Sequence, residues 1–169
     1  LFALLNHIRN NNIEESKKIL MNRPQQKDLL GMPTKLYTHN IDVDEVNSIE
    51  LGKIIGKEFV YYMTATGKRE IVSALKRGCL APERLALKKG ARVMFLKNNF
   101  EVGYVNGTQG SVVDFDIENL PIVKTICGKK ITAKLASWTI DEDGKIIARV
   151  NQLPLRLAWA ITVHKSQGM

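Results

Sequence analysis

The sequence predicts an α/β domain interrupted by a small β-barrel insert. Three observations carry this. A short strand at 36–38 leads through a polar pair into an amphipathic helix, the unit of an α/β sheet. From residue 85 to about residue 150 short apolar runs alternate with turn residues, as in a small barrel. An apolar run at 155–163 then restores the α/β pattern.

The elements follow in order. Phe2, Leu5 and Ile8 stand at helical spacing, and Asn10-Asn11-Asn12 breaks that helix. Residues 13–22 give a second short helix, and 23–33, closed by two prolines, a loop. Leu36-Tyr37-Thr38 is a strand with His39-Asn40 at its carboxyl end. Asp42 or Asp44 then caps a helix with Val46, Ile49, Leu51 and Ile54 on its apolar side. Residues 58–66 (EFVYYMTAT) read as one strand, and Gly67-Lys68-Arg69 turns the chain into a helix over 70–76. Pro82 is the expected boundary. Beyond it strands are expected at 91–96, 110–115, 122–126, 130–138 and 145–150. Asn106-Gly107 favours a tight turn with positive φ, and Gly128 and Asp143-Gly144 mark two others.

The 169 residues are 44% hydrophobic and 25% charged, which excludes wholesale disorder and a disulfide-dense scaffold. No run approaches the roughly 18 apolar residues of a membrane span. The net charge is +8, of which +5 falls within 83–169. That excess suits a polyanionic partner, or simply a soluble basic surface. Cys79 and Cys127 are far apart and fit no metal spacing, so reduced thiols and an intracellular protein are expected. The start at Leu1 and the stop after Gly168-Met169 read as the ends of a fragment.

Much catalytic chemistry is missing. Gly-Lys occurs at 52–53, 56–57, 67–68, 128–129 and 144–145, but no pair is followed by Ser or Thr, so there is no Walker A loop. Asp44-Glu45 resembles a Walker B pair, but Asp42 interrupts the strand that should precede it. His7, His39 and His164 are isolated, and no metal site is expected. No residue of this chain is a candidate catalyst. The distinctive stretch is Gln152-Leu153-Pro154-Leu155 followed by Leu157 to Met169, which ends in Thr162, His164, Lys165, Ser166, Gln167 and Gly168. Hydroxyl, imidazole, ammonium and amide groups at one strand's carboxyl end suit phosphate contacts.

That run resembles motif V of superfamily 1B DNA helicases of the RecD-like and petite-integration-frequency (Pif) type. Gly90-Ala91-Arg92-Val93-Met94 through Asn98, then Val105-Asn106-Gly107 through Gly110 and Val112, resembles a second run of that family. Leu36-Tyr37-Thr38-His39-Asn40 with Val43 and Asn47 is similar to its motif IV segment, and LFALLNHIR to the helix after motif III.

The resemblance implies an incomplete RecA-like (P-loop NTPase-type) domain carrying an SH3-like insert. Residues 1–83 would begin the second RecA-like domain, 84–150 would be the insert, and 151–169 the return to that domain, ending in motif V. It implies part of an ATP-dependent DNA helicase or translocase, 5′ to 3′ in this branch. Such a protein works within the cytoplasm, nucleus or mitochondrion, in processes such as DNA repair and recombination. ATP and Mg²⁺ would serve the full-length protein, with neither held by this piece alone. The partner would be single-stranded DNA, with a monomer the expected state. Thr162, His164 and Lys165 would contact the DNA backbone, with Thr38, His39 and Asn40 on the motif IV side. Ser166, Gln167 and Gly168 would line the ATP cleft. No arginine matches the one that family members place near motif IV. Lys97, Asn98, Asn106, Lys129 and Lys130 are further candidates for phosphate contact, although Asn106-Gly107 also has its turn to explain it. Trp138 and Trp159 either stack on bases or pack in the core, with packing favoured. The competing readings are a free-standing nucleic-acid-binding module with an SH3-like barrel and a protein-interaction domain using the barrel edge.

Overall fold

The computed structural model describes residues 6–7, 9–21, 34–37 and 40–162. The chain divides into two compact units, residues 1–31 and 32–169.

In the first unit the described residues are helical on both sides of a turn at Asn10 and Asn11, where Asn11 takes a positive φ of 55°. The asparagine run therefore breaks the helix as expected. Helix α1 (Ile13–Met21) starts where the Asn12 carbonyl accepts the Ser16 hydroxyl at 2.7 Å. Glu14 and Glu15 sit in its positive first turn and pair with Lys17 and Lys18 one turn on. The loop expected at 23–33 lies outside the described residues.

The second unit opens with β1 (Lys35–Tyr37), followed by α2 (Asn40–Lys53). The helix starts earlier than expected, so Asp42 lies inside its first turn and neither Asp42 nor Asp44 is the residue before it. Its buried face is also different. Val43, Asn47 and Leu51, spaced by four, are 0%, 4% and 6% exposed, whereas Ile49 is 51% exposed. An amide in the middle of the inward stripe hid that stripe from a hydrophobic periodicity.

The run at 58–66 is two strands. β2 (Phe59–Tyr62) and β3 (Thr64–Gly67) part at Met63 because each has its own partner. Helix α3 (Arg69–Cys79) follows and ends at Leu80, whose φ of 58° is a left-handed cap. The β-rich sequence then forms β4 (Arg84–Leu87), β5 (Arg92–Phe95), β6 (Gln109–Phe115), β7 (Pro121–Thr125), β8 (Lys130–Thr132), β9 (Ala136–Glu142) and β10 (Lys145–Gln152). The apolar run after Pro154 is again two strands, β11 (Leu155–Leu157) and β12 (Ala160–Thr162).

Four sheets result. β11-β5-β6-β7-β8 and β3-β10-β9 are antiparallel, β2-β4 is an antiparallel pair, and β1-β12 is a parallel pair. The fold is thus α/β, with sheets. The expected barrel needs correction, because among the described strands no sheet closes on itself. The physical reason is the break at 133–135. It ends β8 as an edge strand and sends β9 to pair with β10 in another sheet. Strands on both sides of Pro82 pair together, β2 with β4 and β3 with β10.

The main core lies under the five-stranded sheet. Leu85, Leu87, Val93, Phe95, Val112, Val123, Leu153 and Leu155 are each 2% exposed or less. Phe95 stacks on Tyr104, and Phe59 on Phe115. Trp159 packs against this core and Trp138 against a smaller one with Cys79 and Val150, in line with packing rather than base stacking. Cys79 is buried and Cys127 exposed, both free thiols.

The family-like run from Gly90 to Val112 is explained by its own backbone. Asn98 Oδ1 accepts the Asn106 N–H at 2.8 Å, and Thr108 Oγ1 accepts the Val105 N–H at 3.0 Å. Gly107 takes a φ of 88° and donates its N–H to the Phe95 carbonyl, so Asn106-Gly107 makes the expected turn. At Gly110 a Cβ would stand 2.5 Å from the Lys124 carbonyl oxygen and 2.7 Å from Val123 Cγ1. Gly110→Ala must push β6 off β7, and is expected to destabilise the protein by about 2 kcal/mol. Urea denaturation checks this, and an unchanged midpoint would contradict it.

Candidate nucleic-acid interface

β1 and β12 are parallel, with Lys35 opposite Ala160, Leu36 opposite Ile161 and Tyr37 opposite Thr162. Parallel strands end at the same side. Tyr37 and Thr162 are the last paired residues, so the polypeptide leaves both strands at one edge. Tyr37 and Thr162, far apart in sequence, are therefore neighbours at one edge. Carboxyl edges of α/β sheets are where ligands bind.

Two buried amides brace the chain here, one at the start of β12 and one at the end of β10. Asn47 projects from α2 onto β12. Its Oδ1 accepts the N–H groups of Trp159 and Ala160, both at 3.1 Å, and its Nδ2 donates to the Ala160 carbonyl at 3.0 Å. Thr34, just before β1, donates its hydroxyl to the Ala158 carbonyl at 2.9 Å. Gln152, fully buried at the end of β10, is the second amide. Its Nε2 donates to the Pro82 carbonyl at 2.9 Å, and its Oε1 accepts the Leu153 N–H at 2.8 Å. The glutamine that opens the motif-like run is thus a brace between β10 and the segment before β4.

Thr162 closes β12 and is 2% exposed, so it sits within the edge rather than above it. Asn40 is the first residue of α2. Thr38, His39, His164, Lys165, Ser166, Gln167 and Gly168 lie outside the described residues. Of the further candidates, Lys97 donates to the Ser137 carbonyl and Lys129 to the Val102 carbonyl. Their ammonium groups are engaged with the fold.

A second feature adjoins the edge. A cleft of about 630 Å³ opens between α2, the end of α3, β4 and β11. Asp44, Lys76, Arg77, Arg84 and Arg156 bring four cations and one carboxylate to it. Arg156 is only 7% exposed, and its Nε and Nη1 have no hydrogen-bond partner. Alternation along β11 explains its position. Leu155 and Leu157 face the core, and Arg156 faces the other way. Burial lowers the pKa of its guanidinium, and the Asp44 carboxylate partly offsets this. An arginine alone inside the apolar run LRLAWAITV was the signal for this residue, and the sequence reading passed over it.

The Gly-Lys pairs do not build a phosphate loop. Lys53 pairs with Glu50 within α2, Lys68 precedes α3, and Lys129 is bound to a carbonyl. Among the described residues, no three or more His, Cys, Asp or Glu side chains gather as a metal site. No described helix is long and apolar enough to cross a membrane.

A parallel pair of strands braced by a buried amide, joined to antiparallel sheets, makes this an α/β region bearing a β-rich module. Comparison with known proteins places it more narrowly. The family described as DNA helicase Pif1, 2B domain, matches residues 70–115. An ATP-dependent DNA helicase Pif1 from a Psychrobacter species is 32% identical over 218 residues, covering 98% of this chain and 33% of its own length. Bacteroides Pif1 in complex with ADP-AlF4 superposes with a TM-score of 0.79 at 29% identity, covering 99% of this chain and 40% of that one. The same helicase with ADP-AlF3 and single-stranded DNA gives 0.65 at 29% identity, with the same coverage. The chain corresponds to a C-terminal region of Pif1-type superfamily 1B helicases. It spans between 21% and 38% of the length of the curated relatives it matches.

Proposed function

We propose that this chain is the second motor region of an ATP-dependent DNA helicase, tracking 5′ to 3′ along single-stranded DNA. One observation carries the reading. The parallel register of β1 and β12 starts the motif IV-like and motif V-like segments at one edge. His164 and Lys165 are assigned to backbone phosphates, with Thr162 anchoring the run from within β12. Thr38, His39 and Asn40 approach the same strand from β1. The relatives solved with DNA and with nucleotide analogues support both partners for the whole protein.

ATP is expected to bind with Mg²⁺ against phosphate-loop residues outside this chain. Ser166, Gln167 and Gly168 would supply one wall of that cleft. The region alone is then inactive as an ATPase. The pairings of β2 with β4 and β3 with β10 support an SH3-like insert that starts near Phe59 and extends through β10. β1, α2 and β12 are then the RecA-like part of the chain. DNA repair and recombination are processes that such a motor serves.

The test is fluorescence anisotropy with a short single-stranded oligonucleotide across a salt series. Lys165→Ala and His164→Ala are each expected to weaken binding about tenfold. Losing one phosphate contact should also flatten the salt dependence, by about 0.7 in log–log slope. Binding indifferent to both changes would move the contact to the β-rich part and favour a simple binding module.

A further inference from the structure

We infer that the cleft between α2, α3 and β11 is a second seat for the nucleic-acid strand, holding a backbone phosphodiester on the Arg156 guanidinium. The inference rests on the DNA-tracking reading and extends it to a site away from the motif-like segments. A guanidinium this deeply buried normally has its donors satisfied, because leaving them unpaired is costly. Here Nε and Nη1 are both unpartnered, and Arg156 lines an open cleft. The guanidinium, with Nε and Nη1 left without partners, is a planar cation that suits a phosphate or carboxylate.

The surroundings select phosphate from a strand. Arg77 is exposed on the rim and makes no ion pair among the described residues, while Lys76 and Arg84 hold Glu83 and Glu58. Arg156 and Arg77 are thus the two cations of the cleft that make no ion pair among the described residues, beside the Asp44 carboxylate. They suit a polyanion that continues past the site. The position fits as well. Asp44 on the cleft wall is one turn along α2 from Asn40, about 6 Å, so the cleft lies close to the edge where β1 ends.

Arg156→Met tests this in the intact protein, with Arg77→Gln as a rim variant too exposed to threaten folding. Affinity for a short oligothymidylate is read by anisotropy across a salt series, and thermal unfolding is read without DNA. Arg156→Met should lower affinity about tenfold and flatten the salt dependence, yet leave the Tm of the free protein unchanged or raised. Arg77→Gln should lower affinity about threefold. A fall in Tm with unchanged affinity would make Arg156 a structural group and overturn the inference. Unchanged affinity in both variants, with Lys165→Ala still weakening binding, would overturn the cleft and leave the proposed function standing. If Lys165→Ala is also without effect, both fail. Inorganic phosphate raising the Tm of the parent but not of Arg156→Met, with DNA affinity equal in the two, would assign the seat to a free anion and overturn the strand.

Discussion

Asn47→Ala is expected to destabilise the protein by about 3 kcal/mol and to weaken single-stranded DNA binding beyond that loss. The residue is 4% exposed and meets three backbone groups, the N–H of Trp159, the N–H of Ala160 and the carbonyl of Ala160. Alanine leaves all three without their partner at a buried position. Each orphaned group costs on the order of 1–3 kcal/mol, less whatever relaxation recovers. The functional consequence follows from where those groups lie. They belong to the start of β12, whose other end carries Thr162 and the motif-like run. Asn47→Asp keeps both acceptor contacts but turns a carboxylate toward the Ala160 carbonyl, so it should recover only part of the loss. Chemical denaturation and anisotropy check both variants. An Asn47→Ala protein as stable as its parent would show that the amide does not brace the edge.

Gln152→Leu should cost about as much, around 3 kcal/mol, by a different route. Gln152 is fully buried and ties the end of β10 to the Pro82 carbonyl and to the Leu153 N–H. Leucine fills similar space and leaves both groups unpaired. Gln152→Glu gives a sharper readout. Protonated, glutamic acid still donates to Pro82. Ionised, it faces the Pro82 carbonyl, and those of Tyr61 and Glu83 at 3.4 and 3.5 Å, with no proton to offer. Burial and these carbonyls raise its folded-state pKa above the ordinary value of about 4.3. The sign is then fixed. The stability conferred by the protonated form is present below that ordinary value and lost as pH rises through the raised one. Gln152→Glu should therefore lie close to its parent in acid and fall away toward neutrality. A pH-independent difference would contradict this.

Much of the strand pattern was legible because turn chemistry and alternation are local. Asn106-Gly107, Gly128 and Asp143-Gly144 all separate strands as expected. The strand joins were not legible. The runs at 58–66, 130–138 and 155–163 each look like one element, yet each divides where its two halves take different partners. β11 pairs antiparallel with β5, and β12, two residues on, pairs parallel with β1. Hydrophobicity records that both halves are buried and not which sheet buries them. The closed sheet that a barrel needs is not seen among the described strands for the same reason. At the site, the polar segments could be picked out by residue type, but that Tyr37 and Thr162 lie side by side is a property of register. Asn47, Gln152 and Arg156 were harder still, since each is a buried polar group. Its role appears only once its hydrogen bonds, or their absence, are seen.

Photocrosslinking tests the central claim most directly, that one edge of this chain gathers two distant segments onto a DNA strand. A single-stranded oligonucleotide carrying 4-thiothymidine would be bound to the intact protein and irradiated, and the crosslinked peptides mapped by mass spectrometry. The account predicts crosslinks within both 38–40 and 162–168 from one bound strand, lost together when Asn47→Ala loosens β12. Crosslinks confined to the β-rich part between 84 and 150, with neither segment labelled, would contradict it.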